Sequence, residues 1–251
     1  MTGPRKKGPN SSRVKEKMRR PSKPKQNGFT LIELLVGIVI CGLLIGGIYR
    51  VFIAQGRTYV VQDQVAEVQQ GIRTAMEILL RDLRMAGFDD DDSNSAVTIT
   101  QPLVYPLSDN SVTVNYEYYD ANLLQYQRHT VAYWLDGGSS RLMRQLTVND
   151  VAGTQEILLE NVSALNFTYG VDGVRDLSQT QDGVMDDRNS DGKIDDNDWL
   201  SAATVNAGSS RGVAVRLTLT ARPEEVNPDL REVSPRTLVS AVTLRNLCLM
   251  R

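Results

Sequence analysis

From residue 29 to residue 49 the chain is apolar at almost every position, and Glu33 is the only side chain in that run charged at neutral pH. Coiled as a helix, the run rises about 31 Å, close to the thickness of a bilayer core. After Arg50 the pattern becomes one-sided. Val61, Val65, Val68, Ile72, Ala75, Leu79 and Leu83 recur at spacings of four and three and mark one helical face. Arg57, Gln62, Asp63, Glu67, Gln70, Arg73, Glu77, Arg81 and Arg84 fall largely elsewhere around the helix. Gly87 is a stop signal. The pattern predicts a single helix of about 55–58 residues, about 85 Å long. It is hydrophobic all round in its first half and amphipathic in its second. Gly37, Gly42, Gly46 and Gly47 permit close helix approach or local unwinding, and glycine is equally a common residue of membrane helices.

Past an acidic turn at residues 89–92 the periodicity drops to two. Residues 111–119 place Val112, Val114, Tyr116 and Tyr118 on one face. Residues 130–135 and 141–148 flank DGGSS at 136–140, a hairpin signal. Residues 162–169, 213–220 and 236–245 are further strands, the second carrying Val213, Val215, Leu217 and Leu219 in alternation. A long helix followed by such strands predicts an α+β fold, with the helix packed on an antiparallel sheet. The expected organisation is a basic leader (1–28), a membrane-spanning or core-packing helix (29–54), the amphipathic half of the same helix (55–87), and a β-rich domain (88–251) with an acidic loop at 172–198.

The net charge of −2 conceals a division. Residues 1–28 hold ten Lys and Arg against one acid, Glu16, which leaves 18 basic and 29 acidic residues after Gly28. A basic flank before an apolar span stays on the cytoplasmic side, so the C-terminal domain is expected across the membrane. A basic run also suits nucleic acid, but this one ends directly at the span, and no nucleic-acid partner is expected. The leader is unlike a secretory signal peptide, because the apolar run is too long and no small-x-small cleavage site follows it. Met18 is an alternative start that would leave MRRPSKPKQNG. The two cysteines, Cys41 in the apolar helix and Cys248 near the C-terminus, are not expected to pair within one chain.

A lone carboxylate in an apolar span is costly and marks a functional site. Cleavage between Gly28 and Phe29 would create an α-amine four residues before Glu33, one helical turn away, or would offer the same amine to a neighbouring copy. The residues GFTLIE at 28–33, followed by LLVGIVICGLLIGGIY, resemble the type IV pilin-like family. Its prepilins carry a glycine before the cut, a phenylalanine after it and a glutamate at the fifth mature position. The resemblance implies cleavage by a membrane prepilin peptidase after Gly28, N-methylation of Phe29, and a role for Glu33 in assembly. Implied partners are other major and minor pilins, an inner-membrane assembly platform, and the lipid bilayer before assembly.

Residues 187–198 (DRNSDGKIDDND) fit a twelve-residue calcium loop. Oxygen donors fall at Asp187, Asn189 and Asp191, then Gly192 at the sharp turn, the Lys193 carbonyl, Asp195 through water, and Asp198 at the closing position. The closing residue is Asp rather than the Glu of an EF-hand, and the loop resembles the dockerin-like version. Asp182 and Asp186 offer further oxygens upstream. A solvated acidic loop has the same composition.

No catalytic constellation is visible. His129 is the only histidine, and it has no Cys or acidic cluster beside it in sequence. Zinc spacing, a phosphate-binding glycine loop and a G-x-S-x-G elbow are missing. Tyr116, Tyr118, Tyr119 and Tyr126 read as half-buried sheet residues, with an exposed binding patch as the alternative. The expected function is a non-catalytic minor pilin in type IV pilus priming or assembly, and RMAGFD at 84–89 makes it similar to the PilW-like subfamily. Alternatives are a J-like minor pseudopilin of a type II secretion system and a calcium-dependent pilus-tip adhesin.

Overall fold

A computed structural model describes residues 28–90, 95–173, 183–208, 211–223 and 235–246. Residues 1–27 of the expected leader and Cys248 therefore lie outside the described residues, as does Asp182; Cys41 is free and exposed.

The first element, α1 (Leu31–Met85), is one helix of 55 residues. Thr30 starts it. Its carbonyl accepts the Leu34 N–H at 3.2 Å and its hydroxyl accepts the Glu33 N–H at 3.3 Å, which makes it the N-cap. Gly87 ends it by taking φ +78°, a left-handed conformation suited to glycine. A Cβ there would also lie 2.9 Å from the Pro102 ring.

The chain divides into two units, residues 1–54 and 55–251. In the first, the large apolar side chains of α1 are exposed throughout, from Leu31 to Ile53. Among the described residues α1 is the one helix long and apolar enough to cross a membrane.

In the second unit the amphipathic stripe behaves as its spacing dictates, with one limit. Ile72, Ala75, Met76, Leu79, Leu80 and Leu83 are buried, whereas Val61, Val65 and Val68 are only partly covered. The strands build two antiparallel sheets rather than one. β1 (Ser111–Asp120), β2 (Gln125–Asp136), β3 (Arg141–Val148) and β4 (Val151–Leu159) form a four-stranded meander in chain order. Then β5 (Val162–Asp172), β6 (Arg211–Ala221) and β7 (Arg236–Thr243) form a second, three-stranded sheet. Between the sheets Asn161 takes φ +56°, which reverses the chain so that β5 pairs with β6 across the acidic loop and not with β4.

The hairpin expected around DGGSS is present, with Trp134 opposite Met143 and Asp136 opposite Arg141. Asp136 closes the turn by accepting the Gly138 N–H at 3.1 Å and the Ser139 hydroxyl, and the Ser139 bond above all holds its carboxyl below the usual range. Alternation in β6 buries Val213, Val215, Leu217 and Leu219 in one core with Tyr133, Phe167, Tyr169 and the α1 stripe. A short helix, α2 (Ala202–Ala207), capped by Ser201, completes the architecture.

The tyrosine expectation needs correcting. Tyr116 is buried and Tyr126 partly so, but Tyr118 and Tyr119 are exposed. At this end of β1 the burial moves to the other face, because Glu117 turns inward and accepts the Asp90 N–H at 2.7 Å and the Ser95 hydroxyl.

Candidate functional site

The N-terminal motif is built by the cap of α1. Gly28 and Phe29 precede the helix in irregular, exposed backbone, which leaves the peptide bond between them open to a peptidase. The cap at Thr30, which closes the first turn, lies downstream of that bond. Glu33 occupies the third helical position, where a carboxylate opposes the positive end of the helix dipole. The geometry departs from simple one-turn spacing. Phe29 lies before the cap and outside the helix, so a new α-amine there would sit beyond the end of α1 rather than on its surface. The Thr30 cap is legible in the sequence as a T-x-x-E box, a signal that the apolar run overshadows.

Residues 187–198 are held by hydrogen bonds to their own backbone. Asp187 accepts the N–H groups of Gly192 (2.6 Å) and Asp191 (3.3 Å). Asn189 accepts the Asp191 N–H at 3.1 Å, and Asp191 accepts the Lys193 N–H at 2.9 Å. Gly192 takes φ +82° at the sharp turn, the backbone expected at the sixth loop position. Asp198 behaves differently from a simple closing ligand. It is fully buried, and its two carboxylate oxygens accept the N–H groups of Arg188 (2.8 Å) and Asp195 (2.8 Å). The Asp195 bond, with that of Arg188, holds the carboxyl below the usual range. Asp198 thus clasps the two ends of the loop, and it sits in a 3-10 turn (Asp196–Asp198) capped by Asp195. Arg216 from β6 reaches across to Asp196 and lies 5.0 Å over the Trp199 ring.

The donor chemistry suits calcium: all oxygen, mostly carboxylate, with lone pairs to spare on Asp187, Asn189 and Asp191 beyond the N–H groups they accept. As the side chains stand, the described residues contain no group of three or more His, Cys, Asp or Glu placed to hold a metal ion.

A third cluster, missed at the level of sequence, joins α1 to the first sheet. Asp82, 2 % exposed, accepts the Tyr133 hydroxyl at 2.6 Å and Arg144 Nη2 at 3.1 Å. Arg144 also reaches Tyr133 at 3.1 Å and Glu156 at 3.2 Å. Burial opposes the Arg144 charge, but the bonds from Tyr133 and Asp82 raise its pKa on balance. Burial, then the charge of Asp82, pushes Tyr116 up to about 12. His129 stacks on Tyr118 at 4.7 Å, and burial lowers its pKa, which keeps the ring neutral at pH 7. Asp82, Tyr133 and Arg144 join helix to sheet, and the His129–Tyr118 stack lies within the sheet between β2 and β1. The clue in the sequence is Asp82 itself, three residues after Leu79 on the apolar stripe.

Residues 23–49 match the prokaryotic N-terminal methylation motif. The match brackets the Gly28–Phe29 bond and Glu33, and it supports a pilin-like or pseudopilin protein that is processed by prepilin peptidase and has pilins as its general class of partner. Together with the apolar first half of α1, it points to membrane anchoring. The long N-terminal helix and antiparallel sheets are consistent with a pilin-like fold. No curated protein and no solved structure matches the chain.

Proposed function

We propose that the chain is a minor pilin of the PilW-like kind, which takes part in priming or assembling a type IV pilus and performs no catalysis. The observation that carries this is the exposed Gly28–Phe29 bond placed just before a Thr30-capped, membrane-length helix, within the matched motif. In this reading the peptidase frees Phe29, the new α-amine is methylated, and Glu33 compensates a positive charge that would otherwise be stranded in an apolar bundle. The β-rich domain lies in the periplasm before assembly. The inner-membrane platform then moves the chain into the filament beside other pilins.

Mass spectrometry of the N-terminus in cells with and without prepilin peptidase tests the proposal. A peptide beginning at methylated Phe29, lost without the peptidase, is the expected result. An intact leader in both strains would overturn it. Sheared surface fibres containing the processed chain favour the pilus, and confinement to a secretion-dependent cell-envelope fraction favours a J-like pseudopilin.

We propose further that residues 187–198 hold calcium through Asp187, Asn189, Asp191, the Lys193 carbonyl and Asp195. The observation that favours this is the Gly192 turn at the position the calcium loop requires. When bound, the cation would neutralise a loop of mutually repelling carboxylates. Adhesion by the tip of the filament would then be calcium-dependent if the chain is displayed there.

A further inference from the structure

A β-sheet ends in strands whose outer N–H and C=O groups have no ladder, and folded proteins cover, bend or charge such edges. The two described sheets have four edge strands, β1, β4, β5 and β7. Three of them are treated in that way. β1 is covered by the segment before it, where Val104 donates to the Thr113 carbonyl at 3.0 Å and Asn115 donates to the Pro102 carbonyl at 2.9 Å. β5 is covered by three segments, through bonds from Phe167 to Asp109 (2.8 Å), from Tyr169 to Leu200 (2.9 Å) and from Asp186 to Val171 (2.9 Å). β4 is bent by two irregularities in its pairing with β3 and carries Glu156.

β7 differs on each count. Its register with β6 runs unbroken from Arg236 opposite Ala221 to Thr243 opposite Ala214. Just beyond, Leu244 donates to the Val213 carbonyl at 2.8 Å. Antiparallel ladders alternate, so Val242, Ser240, Leu238 and Arg236 turn their main-chain groups to β6, and Thr243, Ala241, Val239 and Thr237 turn theirs outward. Among the described residues no main-chain hydrogen bond reaches that outer row. The side chains of the same four residues are exposed and uncharged, and the strand holds no proline, lysine or bulge. At its start lies Arg236, whose Nε is the one buried side-chain nitrogen or oxygen without a hydrogen-bond partner among the described residues. An outward row of alternating donors and acceptors recognises another extended backbone. The orphaned Nε requires an acceptor to come with it.

We propose that β7 is the addition site for an extended strand of a neighbouring pilin subunit, and that an acidic side chain of that strand accepts from Arg236. The guest strand lengthens the β5–β6–β7 sheet and covers Val239 and Ala241 with small or β-branched side chains. Pilins are the class of partner that the N-terminal motif supports, so the identity of the guest rests on the filament reading above. The need for an extended strand rests on the edge alone.

The test places a photo-cross-linking amino acid at Val239 of the full-length chain in cells and identifies the product by mass spectrometry. The expected result is a link to a strand of another pilin subunit. Ala241→Pro, made in the same chain, removes an outward N–H and leaves the β6 ladder its donors. It should lower the cross-link about tenfold with the melting temperature in detergent unchanged. If that variant melts early, Ala241→Glu with Thr243→Glu decides the matter, since both side chains are exposed and charge on an edge opposes strand addition. An undiminished link in the variant that keeps its melting temperature would overturn strand addition. So would a link confined to the same chain, a link to a protein other than a pilin, or no link while the chain is present in sheared filaments, and each of these leaves the filament reading intact. Absence of the wild-type chain itself from filaments would overturn the filament reading, and this proposal with it.

Discussion

Asp82 is the residue on which the join between α1 and the first sheet turns. It is the one charged side chain on the buried stripe of the helix, and it is satisfied from two strands at once, by Tyr133 of β2 and Arg144 of β3. A buried ion pair is a weak source of net stability, but removal of one partner leaves the other charge uncompensated and typically costs about 3–5 kcal/mol. Arg144 keeps some contact with solvent and retains Glu156, so the lower end applies here. Asp82→Ala is therefore expected to lower the unfolding free energy by about 3 kcal/mol in urea titrations. Tyr133→Phe, which removes one hydroxyl and leaves the charges paired, should cost about 1 kcal/mol. Equal losses from the two changes would mean that packing, and not the charge network, dominates this join. The Glu33 carboxylate poses the opposite problem. It is exposed in the single chain, and its cost arises only when the apolar half of α1 enters lipid or a helix bundle.

At the level of elements, the helix and most strands were legible because burial was written into the sequence with a clear period. The stripe from Ile72 to Leu83 and the alternation from Val213 to Leu219 face the core as their spacing requires. β4 was illegible for the same reason in reverse. Its residues VAGTQEILL do not alternate, only Leu158 and Leu159 are partly covered, and Gly153 is there because the Leu146 carbonyl would lie 2.7 Å from a Cβ. The first residues of β2 were hidden by the polar run Gln125–Tyr126–Gln127–Arg128. The division into two sheets was equally hidden, because it depends on a pairing between β5 and β6 that crosses the whole acidic loop. In that loop the spacing of oxygen donors was readable, but the double acceptor role of Asp198 was not. The two roles can be separated. If residues 187–198 bind calcium, saturating the site at a hundredfold excess over Kd should add about 2.7 kcal/mol of stability, seen as a rise in melting temperature that a chelator reverses. Asp191→Ala should abolish that rise and leave the metal-free melting temperature nearly unchanged. Asp198→Ala should lower the melting temperature even with chelator present, because it cuts the clasp between Arg188 and Asp195. No calcium-dependent rise in the wild-type chain would reduce the loop to a self-closed turn.

For the whole molecule, the decisive fact is where the core lies. Among the described residues, every member of the buried cluster, from Ile72 to Leu244, belongs to the second unit, and none comes from residues 28–54. The first unit instead contributes a run of exposed apolar side chains, from Phe29 to Ile53. A patch of that size drives association in water and is compatible only with lipid, detergent or other helices around it. The two units therefore meet different requirements, one solvent-borne and self-sufficient, the other dependent on its surroundings. Removal of residues 1–54 should then leave a fragment, 55–251, that is soluble without detergent and unfolds cooperatively. Its melting temperature should match that of the detergent-solubilised full chain within about 4 °C, since each kcal/mol is worth about 2–4 °C at this size. The exposed end of α1 sets the one local difference. Residues 55–68, covered only along one partly buried edge, should fray in the fragment and exchange their amide hydrogens quickly, while residues 72–83 remain protected. A fragment that stays unfolded, or melts far below the full chain, would mean that the apolar half of α1 stabilises the β-rich domain. Anchoring and folding would then be coupled, and cleavage at Gly28 would be read by the whole domain rather than by the helix alone.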